Sequence, residues 1–192
     1  MNERSWAKYV CGNLRNSLPQ RGKGPRRLDV ISSERLPYRY EVFGYQDQGQ
    51  PEARPTEYET DLLVIEHGPQ GRWVPRVVIE CKLRSLSTHD ALTYSAKAET
   101  HKQVHPYLRY GILVGAPKDR AIPSRLFRHG SHFDFMVAWR RQNATSAEWS
   151  RFVRLVREEI RASRLLEELL LTARQPSRKR YMVIRRRLVF QR

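Results

Sequence analysis

Two carboxylates and one ammonium stand where charged groups are unusual. Asp61 begins the apolar run Thr60-Asp61-Leu62-Leu63-Val64, and Glu80 and Lys82 stand two apart inside Val77-Val78-Ile79-Glu80-Cys81-Lys82-Leu83. A strand's period of two puts Val78, Glu80 and Lys82 on one face and Val77, Ile79, Cys81 and Leu83 on the other. Charges inside such runs are rarely buried without a partner or a metal. If Asp61 opposes Glu80 across a hairpin, both carboxylates and the lysine converge. Two close carboxylates repel, and Mg2+ is a natural third party, because it takes one or two carboxylates, waters and phosphate oxygens. Such a cation lowers the pKa of water and polarises a phosphodiester. A neighbouring lysine stabilises an attacking hydroxide or the pentavalent charge. The plainer alternative is a solvated edge hairpin with a cross-strand Glu–Lys pair worth a few tenths of a kcal/mol.

The elements that must position these residues follow from the pattern. Residues 3–18 read as a helix through Trp6, Tyr9, Val10, Leu14 and Leu18, stopped by Pro19. Residues 21–27 read as a flexible basic loop. A strand is expected over 38–45, a loop over 46–55, and strands over 58–66 and 74–83 joined by the turn 67–72. Ser87 or Thr88 can cap a helix to about Val104. Further strands are expected over 110–114 and 133–139, and a helix over 147–173 behind a Thr145/Glu148 capping box. A last strand is expected over 180–190. The order α-β-β-β-α-β followed by β-α-β predicts one α/β domain over 1–192, a mixed sheet flanked by helices.

With Asp61, an 18-residue spacer and Glu80-Cys81-Lys82, the sequence resembles the PD-(D/E)XK nuclease superfamily, the restriction-endonuclease-like fold. The resemblance covers about residues 3–115, leaving 116–192 as a C-terminal extension. It implies Asp61 and Glu80 as metal ligands, the Cys81 carbonyl as a further ligand, Lys82 as the catalytic lysine, and Mg2+ or Mn2+ as cofactor. The family's Pro-Asp pair is Thr60-Asp61 here. Glu59 shares strand parity with Asp61, and Glu41 or Glu3 could supply the third carboxylate common in the family. Lys97 and Gln103 lie on the helix after the lysine strand as possible accessory groups. Gln103 and Tyr107 have the Gln-x-x-x-Tyr spacing of the exonuclease branch.

Overall charge points the same way. The 192 residues carry 36 Lys and Arg against 20 Asp and Glu, a net charge of +16. That field draws polyanions, mainly nucleic acid or an anionic membrane. No apolar run approaches the ~20 residues of a membrane helix, and the N-terminus lacks a secretory signature. Two cysteines at unrelated spacing make no disulfide framework, so the cytoplasm is the expected compartment. The charge is uneven. Residues 172–192 hold eight basic residues and no acid, whereas Glu52 to Glu66 holds five acids and one Arg. Arg21, Lys23, Arg26, Arg27, Arg125, Arg128, Arg178, Lys179 and Arg180 are the candidate phosphate contacts. The expected function is a Mg2+-dependent DNA endonuclease, restriction-type and homodimeric first. The alternatives are a repair or junction-resolving nuclease of the same fold, or a non-catalytic nucleic-acid-binding protein.

Overall fold

A computed structural model describes residues 1–18, 27–182 and 188–189. Helix α1 (Glu3–Ser17) is followed by strands β1 (Arg27–Tyr45), β2 (Pro51–His67) and β3 (Trp73–Leu83), then α2 (Thr88–Val104), β4 (Arg109–Gly115), α3 (Ser124–His129), β5 (Phe135–Trp139) and α4 (Ser146–Thr172). The strands form one mixed sheet in the order β1-β2-β3-β4-β5. β1, β2 and β3 pair antiparallel, and β3, β4 and β5 run parallel. The antiparallel strands need only turns between them. Each parallel step needs a crossover, and α2 and α3 provide them.

Two apolar layers sandwich the sheet. On one face Trp6, Val10 and Leu14 of α1 and Phe152, Val156 and Ile160 of α4 pack on Leu62, Val64, Val77, Ile79 and Cys81. On the other, Ala91 and Ala98 of α2 and Leu126 of α3 pack on Leu63, Ile65, Val78, Ile112 and Val114. The strict alternation along β2 and β3 therefore distributes its apolar residues to both layers. Helix α2 presents small and polar residues to the sheet, with Ala91, Ser95, Ala98 and His101 buried. Ser87 caps it in a reciprocal box with Asp90, and Thr145 and Glu148 do the same for α4.

Gly111 lies in the middle of β4, where a Cβ would come within 2.2 Å of the Phe135 ring. Gly111→Ala must displace a ring in a packed layer, and overpacking of this kind costs roughly 1–3 kcal/mol. A lower urea midpoint with an unchanged m-value is the expected readout.

Several expectations are corrected. The first hairpin is far longer than its sequence signals. β1 starts at Arg27, and the expected loop over 46–55 is only a tight turn before β2 begins at Pro51. The polar stretch 51–57 holds Pro51 and Pro55, which mark a loop by composition. It pairs with β1 alone, beyond the reach of β3, and prolines are tolerated on such outer strands. Helix α3 was not expected, because six residues with one buried side chain, Leu126, show no periodicity. The strand expected from Phe133 starts at Phe135. It joins the same sheet as the core, pairing parallel with β4. The expected C-terminal strand is not formed over Arg180–Met182, which are exposed and unpaired with the sheet; residues 183–187 and 190–192 lie outside the described residues. The described part of the extension is therefore α-β-α, with α3, β5 and α4, in place of the expected β-α-β. No helix among the described residues is long and apolar enough to cross a membrane.

Candidate active site at the parting of two strands

The β2–β3 ladder ends at Leu62↔Ile79, and one further step sets Asp61 opposite Glu80. On the other side of β2, the pairs Ser32↔Leu62 and Glu34↔Thr60 bracket an interruption at Ser33. Ser33 takes φ 58°, a conformation that non-glycine residues adopt only at a cost. Asp61 thus sits at a break in both ladders. Its Oδ2 accepts the Cys81 N–H at 2.8 Å, replacing a strand–strand hydrogen bond. A strand residue directs its N–H and C=O to the same edge, so the Cys81 carbonyl faces Asp61 as well. Thr60 is buried and donates its hydroxyl to the Glu34 carbonyl at 3.0 Å.

Glu80 is buried to 1% exposure. Its Oε1 accepts the Tyr110 hydroxyl at 2.5 Å and lies 3.1 Å from Lys97 Nζ. Burial pushes its carboxyl up to about 7; Asp61 adds to the shift, while Lys97 and Tyr110 oppose it. The Tyr110 hydroxyl is itself driven well above its ordinary value by burial and by Glu80.

Lys82 Nζ is held between Glu3 Oε1 at 3.2 Å and Asp90 Oδ1 at 3.3 Å. Glu3 also accepts the Leu83 N–H through Oε2 at 3.0 Å, which ties the start of α1 to the end of β3. Burial opposes the charge on Lys82, but Tyr94, Glu3 and Asp90 outweigh it and raise its pKa further. Lys82 is therefore a fixed ammonium and not a proton acceptor. Tyr94 lies between the two lysines, 5.3 Å from Lys82 Nζ and 5.4 Å from Lys97 Nζ. Its hydroxyl is pushed up to about 12 by burial and by Glu80.

Asp90, Tyr94, Lys97 and His101 follow the spacing i, i+4, i+7, i+11, one stripe of a helix. That stripe is how α2 reaches the sheet. Asp90 holds Lys82, Lys97 holds Glu80 and donates to the Glu59 carbonyl at 3.0 Å, and His101 Nε2 donates to the Leu36 carbonyl at 3.1 Å. Burial lowers the His101 pKa to about 4. Its hydrogen bond to Leu36 fixes α2 against β1.

Of the expected residues, Asp61, Glu80, Cys81, Lys82 and Lys97 are brought together, and Glu3 is paired with Lys82. Glu59 is exposed and contributes its carbonyl to Lys97. With Asp61, Glu3 and Lys8 it also lines an open cleft of about 260 Å3 against α1. Glu41 is not brought in. It pairs with Arg39 and lies opposite Arg54, eight residues and roughly 26 Å along β1 from the break at Ser33. Gln103 is exposed, two residues past the inward-facing His101. The Cys81 thiol points into the α1 layer, where burial keeps it protonated, so only its carbonyl can serve. Asp90, Tyr94 and Tyr110 were not singled out in advance. The stripe spacing on α2 was the available signal for the first two; nothing local marks Tyr110.

The basic residues divide. Arg125 and Arg128 are exposed on α3, beside an exposed Phe127, and Arg27 opens β1. Lys179 is paired with Glu168 and Arg178 is folded onto the Ala173 carbonyl, while Arg180 is exposed. Arg21, Lys23 and Arg26 lie outside the described residues. A second cleft, about 220 Å3, lies at the other end of β4 against Arg109, His132 and Asp134. Asp134 is already paired there with Arg109 and Lys102, and none of the expected site residues is near.

No group of three or more His, Cys, Asp and Glu side chains able to hold a metal is formed among the described residues. The donor chemistry at the parting of β2 and β3 nevertheless suits a hard divalent ion. It comprises two carboxylates and a carbonyl, all oxygen, with Glu80 an anion that its burial leaves under-compensated. This has a stability consequence. The raised carboxyl costs nothing below the ordinary Glu pKa of about 4.3, and the cost grows as pH rises toward 7, where it is complete. In protein stripped of metal with EDTA, Glu80→Gln should therefore stabilise the fold above pH 7 by an amount on the order of 3 kcal/mol, seen as a higher melting temperature, and should have little effect near pH 4. Melting curves at the two pH values check it.

In comparisons with known proteins, no family model and no curated protein matches this sequence.

Proposed function

We propose that the chain is a Mg2+-dependent DNA endonuclease of the PD-(D/E)XK type that hydrolyses phosphodiester bonds to leave a 3′ hydroxyl and a 5′ phosphate. The observation that carries the reading is the meeting of Asp61 and Glu80 where β2 and β3 part. The Cys81 backbone lies between them, and Lys82 and Lys97 stand at the same place. The order α1-β1-β2-β3-α2-β4, with the acidic pair on the second and third strands, supports the restriction-endonuclease-like form of the sheet. Two free, buried cysteines support a reducing, cytoplasmic setting.

Asp61, Glu80 and the Cys81 carbonyl would hold the cation. Bound there, Mg2+ would supply an activated water and a polarised phosphodiester. The chain's own residues do the rest. Lys82, kept protonated by Glu3 and Asp90, places a fixed positive charge where negative charge grows on the phosphorus. Lys97 neutralises Glu80 and sits on the rim formed by Tyr58 and Tyr94. Glu3 and Asp90 orient Lys82 and do not touch the substrate. Arg125 and Arg128 steer and hold the DNA backbone without reading its sequence.

Plasmid DNA incubated with the protein and Mg2+ tests the reading against Asp61→Ala and Lys82→Ala. Cleavage at discrete bands supports a restriction role; cleavage confined to branched or damaged DNA supports repair. If the wild-type chain shifts DNA on a gel but cuts no form of it, the nuclease reading fails. The alternative is then a non-catalytic nucleic-acid-binding protein of this fold, a reading favoured by the Lys97–Glu80 pair, which partly neutralises the buried acid with no cation.

A further inference from the structure

Beyond Tyr38, whose ring still meets His101 of α2, the first hairpin leaves the body of the protein. Residues 38–45 of β1 pair only with residues 51–56 of β2. Tyr40, Phe43 and Tyr45 on this arm are 56%, 67% and 73% exposed, and Val42 is 50% exposed. Within the body, the outer carbonyls of β1 are covered. Arg15 Nε donates to Val30 at 2.8 Å and His101 to Leu36 at 3.1 Å. Among the described residues, no hydrogen bond from outside the hairpin reaches the backbone of residues 38–45. A two-stranded ribbon that exposes aromatics is marginally stable by itself in water, and an open edge strand invites pairing. The arm is built for a partner.

Its charge decides which one. Residues 38–57 contain Arg39 and Arg54 against Glu41, Asp47, Glu52 and Glu57, a net charge of −2, which leaves +18 on the rest of the chain. An acidic arm is repelled by a polyanion, so it is no nucleic-acid ribbon. Two arms repel each other for the same reason. The complementary surface is the basic body of a second copy. We infer that the chain forms a two-fold dimer by exchanging these arms, each laid on the other copy's basic body. The arm is roughly 25 Å long. Two such contacts, one in each direction, have the reciprocity that two-fold symmetry requires. This inference does not rest on the nuclease reading.

Sedimentation equilibrium of the full chain tests it, alongside Phe43→Ser/Tyr45→Ser and a variant in which residues 40–55 are replaced by Asn-Gly, which joins the partners Arg39 and Thr56. The wild type should be a dimer that weakens with added salt. Both variants should weaken it at least tenfold while melting as monomers of normal stability. Amide exchange of the unaltered chain gives a second measure, with protection of residues 38–57 rising with protein concentration. A monomeric wild type overturns the inference, as does a dimer unchanged in both variants or arm protection that does not vary with concentration. Loss of DNA affinity in the variants, with the wild type monomeric, would assign the arm to nucleic acid instead.

Discussion

Asp61→Asn should lower Mg2+-dependent DNA cleavage by at least about 1,000-fold, equivalent to about 4 kcal/mol of transition-state stabilisation, with DNA affinity unchanged or slightly tighter. The rate falls because Asp61 holds two parts of the site. Under the proposed function it would offer a carboxylate to the cation, and it fixes the Cys81 backbone through its 2.8 Å hydrogen bond. Affinity does not fall because the change removes a negative charge near the phosphate, while the basic contacts stay in place. Lys82→Ala should lower the rate by about 100- to 1,000-fold, as removal of one electrostatic stabiliser does. Lys97→Ala separates the two lysines. If Lys97 only neutralises Glu80, its loss should mainly shift the pH profile; if it touches the phosphate, the maximal rate should fall as far as for Lys82. Single-turnover cleavage across pH, with gel shifts in Ca2+, reads all three. Cleavage by Asp61→Asn at near wild-type rate would remove Asp61 from the site and sink the proposed mechanism.

The largest stability effect should come from the far side of the sheet. Glu66 is buried, and its Oε2 accepts Arg76 Nε at 2.7 Å while its Oε1 accepts Arg164 Nη2 at 2.7 Å. Arg76, itself 2% exposed, reaches on to Glu167 at 2.7 Å. The cluster clamps α4 onto β2 and β3. Glu66→Ala leaves Arg76 buried with one partner fewer, and breaking a buried pair from one side costs roughly 3–5 kcal/mol. In a chain of this size that is a fall of about 10 °C in melting temperature. The paired change Glu66→Leu/Arg76→Met should recover most of the loss, because it removes both charges. A melting temperature for Glu66→Ala close to wild type would mean that water or a rearranged Arg164 compensates Arg76. The pH dependence follows from the same geometry. Burial alone would raise the Glu66 pKa, but Arg164 and Arg76 outweigh it and hold it below the ordinary range. The stabilisation is therefore complete above the ordinary Glu pKa and is lost as pH falls through the lowered folded value. Acid unfolding of wild type should be steeper than that of the Leu/Met variant.

The chemistry of the site was legible in one dimension because strand periodicity is local. Alternation alone placed Glu80 and Lys82 on one face of an apolar strand, and the apolar flanks of Asp61 pointed to a neighbouring strand. The helix caps at Ser87 and Thr145 were legible for the same reason: a cap is a contact across three residues. What lay beyond the sequence were the contacts that depend on register and helix placement. Tyr110 reaches Glu80 because β4 runs parallel to β3, and nothing within β4 signals it. Lys97 reaches Glu80, and Asp90 reaches Lys82, only once α2 is laid across the sheet. Glu41 had the right residue type, but the length of the hairpin carries it far from the break at Ser33. That length is itself a tertiary result. The stretch 51–57, rich in polar residues and proline, pairs because β1 runs beside it, not because it favours a strand. The acids, the lysine and the strands that bear them could be read from the chain, since each rests on sequence neighbours. Which cation meets which acid, and how deeply Glu80 is buried, could not, because burial and long-range ion pairs are set by how the elements pack.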